Sequence, residues 1–204
     1  VIAQLGQSHF GIFPADVYEE AAAISEDGQA RRRGAGETGL DVRYAGDRLL
    51  VLRVFPASPA EAAGVGPGWE ITAIDGDPVG EPIAKLLEAF GEQTSVGMIV
   101  ARAMAARLSG PVGETVAVEL RDGTGGTVAL ELELAAPRGT EATLGNLPPV
   151  HVWWEKKELD GGIGYFGFNY FLGVMEVMPA YNAAMREFGE APGVIVDLRG
   201  NLGG

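Results

Sequence analysis

The chain has 204 residues, 47% of them hydrophobic, and no cysteine. That is enough apolar material for one large or two modest cores, and it excludes a disordered protein, a disulfide framework, thiolate chemistry and a cysteine-ligated zinc. With 15 basic and 28 acidic side chains the net charge is -13, which repels nucleic acid and anionic membrane surfaces and favours peptides or proteins as partners.

No apolar run approaches the ~18 residues needed to span a bilayer. The start, VIAQLGQSHF, has neither an initiator methionine nor a signal-peptide pattern, so the chain reads as a piece of a longer protein. That stretch predicts the tail of an apolar helix ending near Gly6, then a loop carrying Ser8 and His9. Apolar and acidic residues mix at helical spacing from Pro14 to Ile24, and RRRGAGETG, from Arg31 to Gly39, is a polar, glycine-rich linker with a domain boundary near Gly36.

Short strands and strong turn signals dominate from Thr38 to Ala135. DVRY and RLLVLRVF predict a hairpin across Ala45-Gly46-Asp47. Ser58-Pro59-Ala60-Glu61-Ala62-Ala63-Gly64 carries a cap, a first-turn proline, a capping-box glutamate and a terminating glycine, so it predicts a helix of barely two turns. WEITAI reads as a strand closed by Asp75-Gly76. Residues 81–108 predict two helices parted by Gly91 and EQTS. Ile83, Leu86, Leu87 and Phe90 form one apolar face, and Ile99, Val100, Met104 and Leu108 the other. Val116, Val118 and Leu120, then Val128, Leu130, Leu132 and Leu134, alternate with polar residues around an Asp122–Gly126 turn, which predicts a hairpin with one buried face.

From His151 onward the pattern is strand, turn, strand, helix, strand. HVWWEKKEL and IGYFGFNYF flank Asp160-Gly161-Gly162, and Met178, Tyr181, Met185 and Phe188 line one helical face before Gly189. Val194-Ile195-Val196 is β-branched and unbroken, as suits a strand buried on both faces of a sheet that includes parallel pairing. His151, Trp153 and Trp154 read as strand residues that pack a core or a domain contact. His9 and His151, far apart in sequence, make a weak case for a metal, and none is expected; nor is a cofactor.

Beyond Val196 come Asp197, Arg199 and Asn201, with Gly200, Gly203 and Gly204. Ligands of open α/β sheets bind beyond the carboxyl ends of strands, and glycines there can turn N–H groups toward a carboxylate, a phosphate or an oxyanion. A plain turn in which Asp197 and Arg199 satisfy each other's polarity is the competing reading. The absence of GxGxxG and GxxxxGK[ST] argues against a phosphate loop.

DLRGNLGG resembles the DLRxNxGG signature of the C-terminal processing and tricorn-type serine peptidases. The resemblance implies that Gly203, with Gly204 next in line, contributes to an oxyanion hole, that Asp197, Arg199 and Asn201 are structural motif residues, and that the nucleophilic serine lies past Gly204. LGxSH around Ser8 and His9 resembles the tricorn-like branch, which makes His9 a general base and Ser8 part of its charge network. In the other branch, a serine-lysine dyad, His9 is structural; both branches stay open. TGLDVRY, SPAEAAGVGPGWEITAIDG and LSGPVGETVAVELR are similar to bacterial, circularly rearranged PDZ domains, with Trp69, Ser109 and Glu114 departing from the pattern. Such a domain binds an extended peptide by strand addition along Thr38, Gly39, Leu40, Asp41, Val42 and Arg43, with a terminal carboxylate at the 37–40 loop and Ile99, Ala103 and Met104 as the groove wall.

The resulting expectation is an α+β chain in four parts: an N-terminal helical segment (1–35), a PDZ-like, partly open β-barrel with flanking helices (36–137), a linker (138–150), and the beginning of an α/β protease core (151–204). Its implied function is that of a bacterial serine-type peptidase that binds unfolded or C-terminal peptide segments, with the cell envelope or periplasm as the family's compartment. The alternative is a non-catalytic binding or scaffold relative.

Overall fold

The hairpin that opens the first sheet turns on two residues whose backbone is left-handed, Gly46 (φ 56°) and Asp47 (φ 60°). That pair of positive φ values is what a two-residue type I′ turn demands, and its twist matches that of the flanking strands. A computed structural model describes residues 35–143, 149–171, 174–201 and 203. They divide into two compact units, parted between Ala136 and Pro137. The whole is a mixed α+β structure, and the expected N-terminal helical segment with Ser8 and His9 lies outside the described residues.

In the first unit, strands β1 (Gly36–Glu37), β2 (Leu40–Ala45), β3 (Arg48–Val54), β4 (Glu70–Ile74), β5 (Asp77–Pro78), β6 (Ser109–Gly110), β7 (Thr115–Arg121) and β8 (Thr127–Glu133) pair antiparallel throughout. The main sheet runs β2-β3-β4-β7-β8 with β5 beside β4, and β1 pairs with β6. The sheet is open, and the described residues contain no closed barrel. On β7, Val116, Val118 and Leu120 are buried while the residues between them are not, as the alternation predicts.

Three helices complete this unit: α1 (Pro59–Ala62), α2 (Gly80–Phe90) and α3 (Val96–Arg107). Helix α1 is one turn rather than nearly two. Ser58 Oγ accepts the Glu61 N–H at 3.2 Å, and the Glu61 carboxylate accepts the N–H of Ala57, not of Ser58, at 2.7 Å. Ile83, Leu86 and Phe90 of α2 meet Val100 and Met104 of α3 in one core with the strand residues. Burying each such side chain contributes about 1.5–3 kcal/mol.

The second unit holds β9 (Thr140–Ala142), β10 (Val150–Val152), β11 (Trp154–Leu159), β12 (Ile163–Phe168), α4 (Val174–Glu187), a 3-10 turn (Phe188–Glu190) and β13 (Val194–Asp197). β9 pairs antiparallel with β10, so the segment expected to be a linker carries a strand. The physical reason lies at Gly139, at φ 86°, where a Cβ would sit 2.1 Å from the Val152 carbonyl oxygen. β11 pairs antiparallel with β12, and β12 parallel with β13 through the α4 crossover.

Three expectations fail in this unit, the first of them only in part. Tyr181, Met185 and Phe188 pack on the core as expected, together with Val177 and Ala184, but Met178 is exposed. Gly189 does not stop α4 in a left-handed cap; the helix tightens into the 3-10 turn and ends before Pro192. The Phe188 ring fills the space above Gly164, where a Cβ would lie 2.4 Å from it. Parallel pairing of β13 is present, but burial on both faces is not: Val194, Ile195 and Val196 are 41%, 45% and 41% exposed. β13 is an edge strand among the described residues, and α4 packs over β12 instead.

Candidate functional site

The loop beyond the carboxyl end of β13 is built around one carboxylate. Asp197 is 6% exposed and closes the strand opposite Gly167 of β12. Its Oδ1 accepts the Arg199 backbone N–H and Nε, each at 2.9 Å, and its Oδ2 accepts Arg199 Nη2 at 2.7 Å. Two nitrogens of one guanidinium thus grip both carboxylate oxygens, a bidentate geometry only arginine can offer. Tyr165 Oη also donates to Asp197 Oδ2, at 2.6 Å. Gly167 makes this reach possible, since a Cβ there would come within 3.0 Å of the Tyr165 hydroxyl oxygen.

The charge logic follows from those bonds. Hydrogen bonds from Arg199, then from Tyr165, hold the Asp197 carboxyl well below the usual carboxylate range. Burial, then the bond to Asp197, pushes the Tyr165 phenol well above its ordinary value. Lys157 Nζ sits 4.5 Å from the centre of the Tyr165 ring.

Farther along, Gly200 and Gly203 take left-handed φ values of 75° and 86°. Asn201 Nδ2 donates to the Phe168 carbonyl at the end of β12, at 3.1 Å, and its Oδ1 accepts the Gly203 N–H at 2.8 Å. The Gly203 carbonyl accepts the Phe171 N–H at 2.8 Å. The N–H that the motif resemblance assigns to an external oxyanion is therefore donated to a neighbouring side chain, by the short-range turn an asparagine forms two residues before its partner. Gly204, like Ser8 and His9, lies outside the described residues.

In the first unit, β2 is an edge strand with α3 beside it. Leu40 and Val42 turn into the core, Asp41 meets Arg53 at 3.5 Å, and Arg43 is exposed. Ile99 and Ala103 of α3 are partly buried and available to a groove, whereas Met104 is fully buried and is core, not wall. Thr38 is buried, and its Oγ1 accepts the Leu40 N–H at 3.4 Å. Gly39, at φ 82°, is glycine for another reason than ligand approach, because a Cβ would lie 2.1 Å from Ser58 Cβ. Helix α3 lies against the Tyr44 end of the strand, where a Cβ on Gly97 would meet the Tyr44 carbonyl oxygen at 3.4 Å, an ordinary contact.

Tyr165, Phe168 and Phe171 take part in the loop without having been singled out as site residues. In sequence an aromatic strand reads as core, and only the glycine of GYFGF hints that a side chain crosses there. Among the described residues no three His, Cys, Asp or Glu side chains gather to hold a metal ion, and no helix is long and apolar enough to cross a membrane.

No family model and no curated protein matches the chain. Among solved structures, the chain is similar to several described as proteases. A photosystem II D1 C-terminal processing protease is 20% identical, with a TM-score of 0.46 over 87% of this chain and 42% of that one. A protein described as an S41 protease, from Bacteroides fragilis, is 23% identical, with a TM-score of 0.38 over 84% and 42% of the two chains. The HtrA-type protease AlgW with a decapeptide is 20% identical, with a TM-score of 0.36 over 63% and 37%. The chain spans less than half the length of each of these structures. At such scores the similarity carries no inference about activity.

Proposed function

We propose that the chain is the peptide-binding and oxyanion-side portion of a serine-type peptidase of the C-terminal processing or tricorn type. The observation that supports this most is the loop at 197–203. A DLRGNLGG sequence closes a parallel strand, Asp197 and Arg199 bond each other at its start, and Asn201 holds the left-handed Gly203.

In this reading a serine hydroxyl, carried outside these 204 residues, attacks the scissile carbonyl carbon while His9 takes its proton, with Ser8 orienting the imidazole. The carbonyl oxygen becomes an oxyanion that loop N–H groups stabilise. The resemblance gives this role to Gly203, which joins if Asn201 releases its N–H, and to Gly204. The C–N bond then breaks, His9 returns the proton to the leaving amine, and water hydrolyses the ester. The edge strand at Thr38–Arg43 and the α3 side chains Ile99 and Ala103 form a PDZ-like groove in which an unfolded or C-terminal segment adds as a strand. Because Thr38 Oγ1 engages the Leu40 N–H, a terminal carboxylate gains little there.

A fluorophosphonate probe tests the catalytic part. It labels the longer parent protein and leaves this chain unlabelled; modification of Ser8 in this chain overturns the assignment. Peptide titrations test the groove, with free and amidated C-termini binding within about tenfold of each other because one hydrogen bond more or less is worth ~0.5–1.5 kcal/mol. A large preference for the free carboxylate contradicts it. The second reading, a non-catalytic binding relative, is favoured by the engaged Gly203 N–H, and an unlabelled parent would establish it.

A further inference from the structure

Strand β2 offers an added strand less edge than its length suggests. Val51 of β3 donates its N–H to the Trp69 carbonyl and accepts the Gly68 N–H, each at 2.8 Å, so both of its backbone groups turn away from β2. Val42 stands opposite Val51. In an antiparallel ladder such a pair exchanges no hydrogen bonds, so the Val42 N–H and C=O turn to the free side. Leu40 and Tyr44, two residues to either side, turn theirs the same way. There Thr38 Oγ1 engages the Leu40 N–H at 3.4 Å, and Gly97 of α3 lies against the Tyr44 carbonyl. Val42 is thus the place on this edge where, among the described residues, no other segment takes up either the N–H or the C=O.

A register centred on Val42 has a consequence in charge. The peptide residue opposite Val42 turns its side chain to the core side, and its two neighbours turn theirs outward, beside Arg43 and Asp41. Arg43 is exposed and makes no ion pair among the described residues. Asp41 is bonded to Arg53 at 3.5 Å. One outward position therefore meets a cation with charge to offer, and the other meets an anion already served.

We propose that the β2 groove selects an extended segment in which an acidic residue immediately precedes an apolar one, with Arg43 as the specificity-determining residue. The inference rests on the reading of β2 as a site of strand addition. The order of the two residues follows from antiparallel pairing, in which one peptide residue exchanges both bonds with Val42. The peptide then runs against β2, so the residue before the apolar one lies beside Arg43 and the residue after it beside Asp41. Both flanking pairs are of the non-hydrogen-bonded kind, with Cα atoms about 4.5 Å apart, where opposite charges attract and like charges repel most. Long-range repulsion from the chain's net charge of -13 acts on either order alike and does not choose between them.

Two hexapeptides of identical composition, blocked at both ends, test this: Ser-Thr-Glu-Ile-Ser-Thr and Ser-Thr-Ser-Ile-Glu-Thr. Each is titrated into the 204-residue chain while the β2 amides are followed by NMR. The first binds more tightly by about threefold or more. High salt narrows the ratio, because exposed charge pairs are screened. Arg43→Glu brings the ratio to one or below, and Arg43→Gln leaves it between that value and the native one. Equal binding of the two peptides to the native chain, or a native ratio in Arg43→Glu, overturns the role of Arg43 while the groove stands. Tighter binding of the second peptide overturns the antiparallel register. Peptides that leave the β2 amides unmoved refute strand addition at β2 itself, and the proposal with it.

Discussion

Asp197 concentrates most of what a single residue does in this chain. It receives bonds from Arg199 and Tyr165 while nearly inaccessible to water, whereas the Arg199 side chain is 61% exposed. Replacing Asp197 by Asn therefore strands no buried cation, and we expect a loss of about 1.5–3 kcal/mol, the worth of hydrogen bonds to a charged group. Its pH dependence has a definite sign. The folded carboxyl titrates below its unfolded value of about 3.9, so its contribution is intact above that pH and is lost as pH falls through the folded value. Denaturant titrations across the acid range check this, with Asp197→Asn showing a shallower acid limb than the native chain. Tyr165 has the opposite sign: its raised pKa keeps the phenol neutral, so its stabilisation is complete below about pH 10 and declines above it.

Elements show where local signals suffice. Helix α1 is short, yet Ser58 caps it and Pro59 opens it as the sequence predicts, while Glu61 reaches Ala57 instead of closing a capping box on Ser58. The residue that suffers is Ala57, held at φ 56° so that its N–H meets the Glu61 carboxylate. Ala57→Gly should raise stability by up to ~1 kcal/mol, since a left-handed residue with a Cβ costs roughly that much; a drop in the chemical-denaturation midpoint would contradict this. Gly39→Ala should do the reverse and by more, because the φ and the collision with Ser58 both oppose it. At β13 the logic is of edges. An apolar strand paired on one side only among the described residues is a template for association, so Ile195→Lys is expected to change folding stability within about 0.5 kcal/mol while reducing self-association in sedimentation experiments.

At the scale of the molecule, each unit has its own apolar core, and the two differ in size. The first gathers strands and helices around residues such as Leu49, Ile71, Leu120 and Met104; the second rests on Val152, Phe166, Phe168 and Phe188 with the face of α4. Residues 35–136, expressed alone, should fold and unfold in one cooperative transition. Leu120→Ala should lower its stability by about 2–5 kcal/mol, as measured by urea unfolding with an unchanged m value.

Sequence alone determined what depends on neighbours a few residues away. The alternation on β7, the Gly46-Asp47 and Asp75-Gly76 turns, the cap of α1 and the two faces of α2 and α3 were all legible, because period, φ preference and capping are short-range physics. The motif residues Asp197, Arg199 and Asn201 could be read in the same way. What needed the tertiary structure was every property set by a partner distant in the chain. Tyr165 becomes the partner of Asp197 only because parallel pairing brings β12 beside β13. Gly39 is required by Ser58, Met104 is core, and the apolar run of β13 stays exposed because hydrophobicity says that a strand can be buried, while burial itself depends on what lies across its edge and faces.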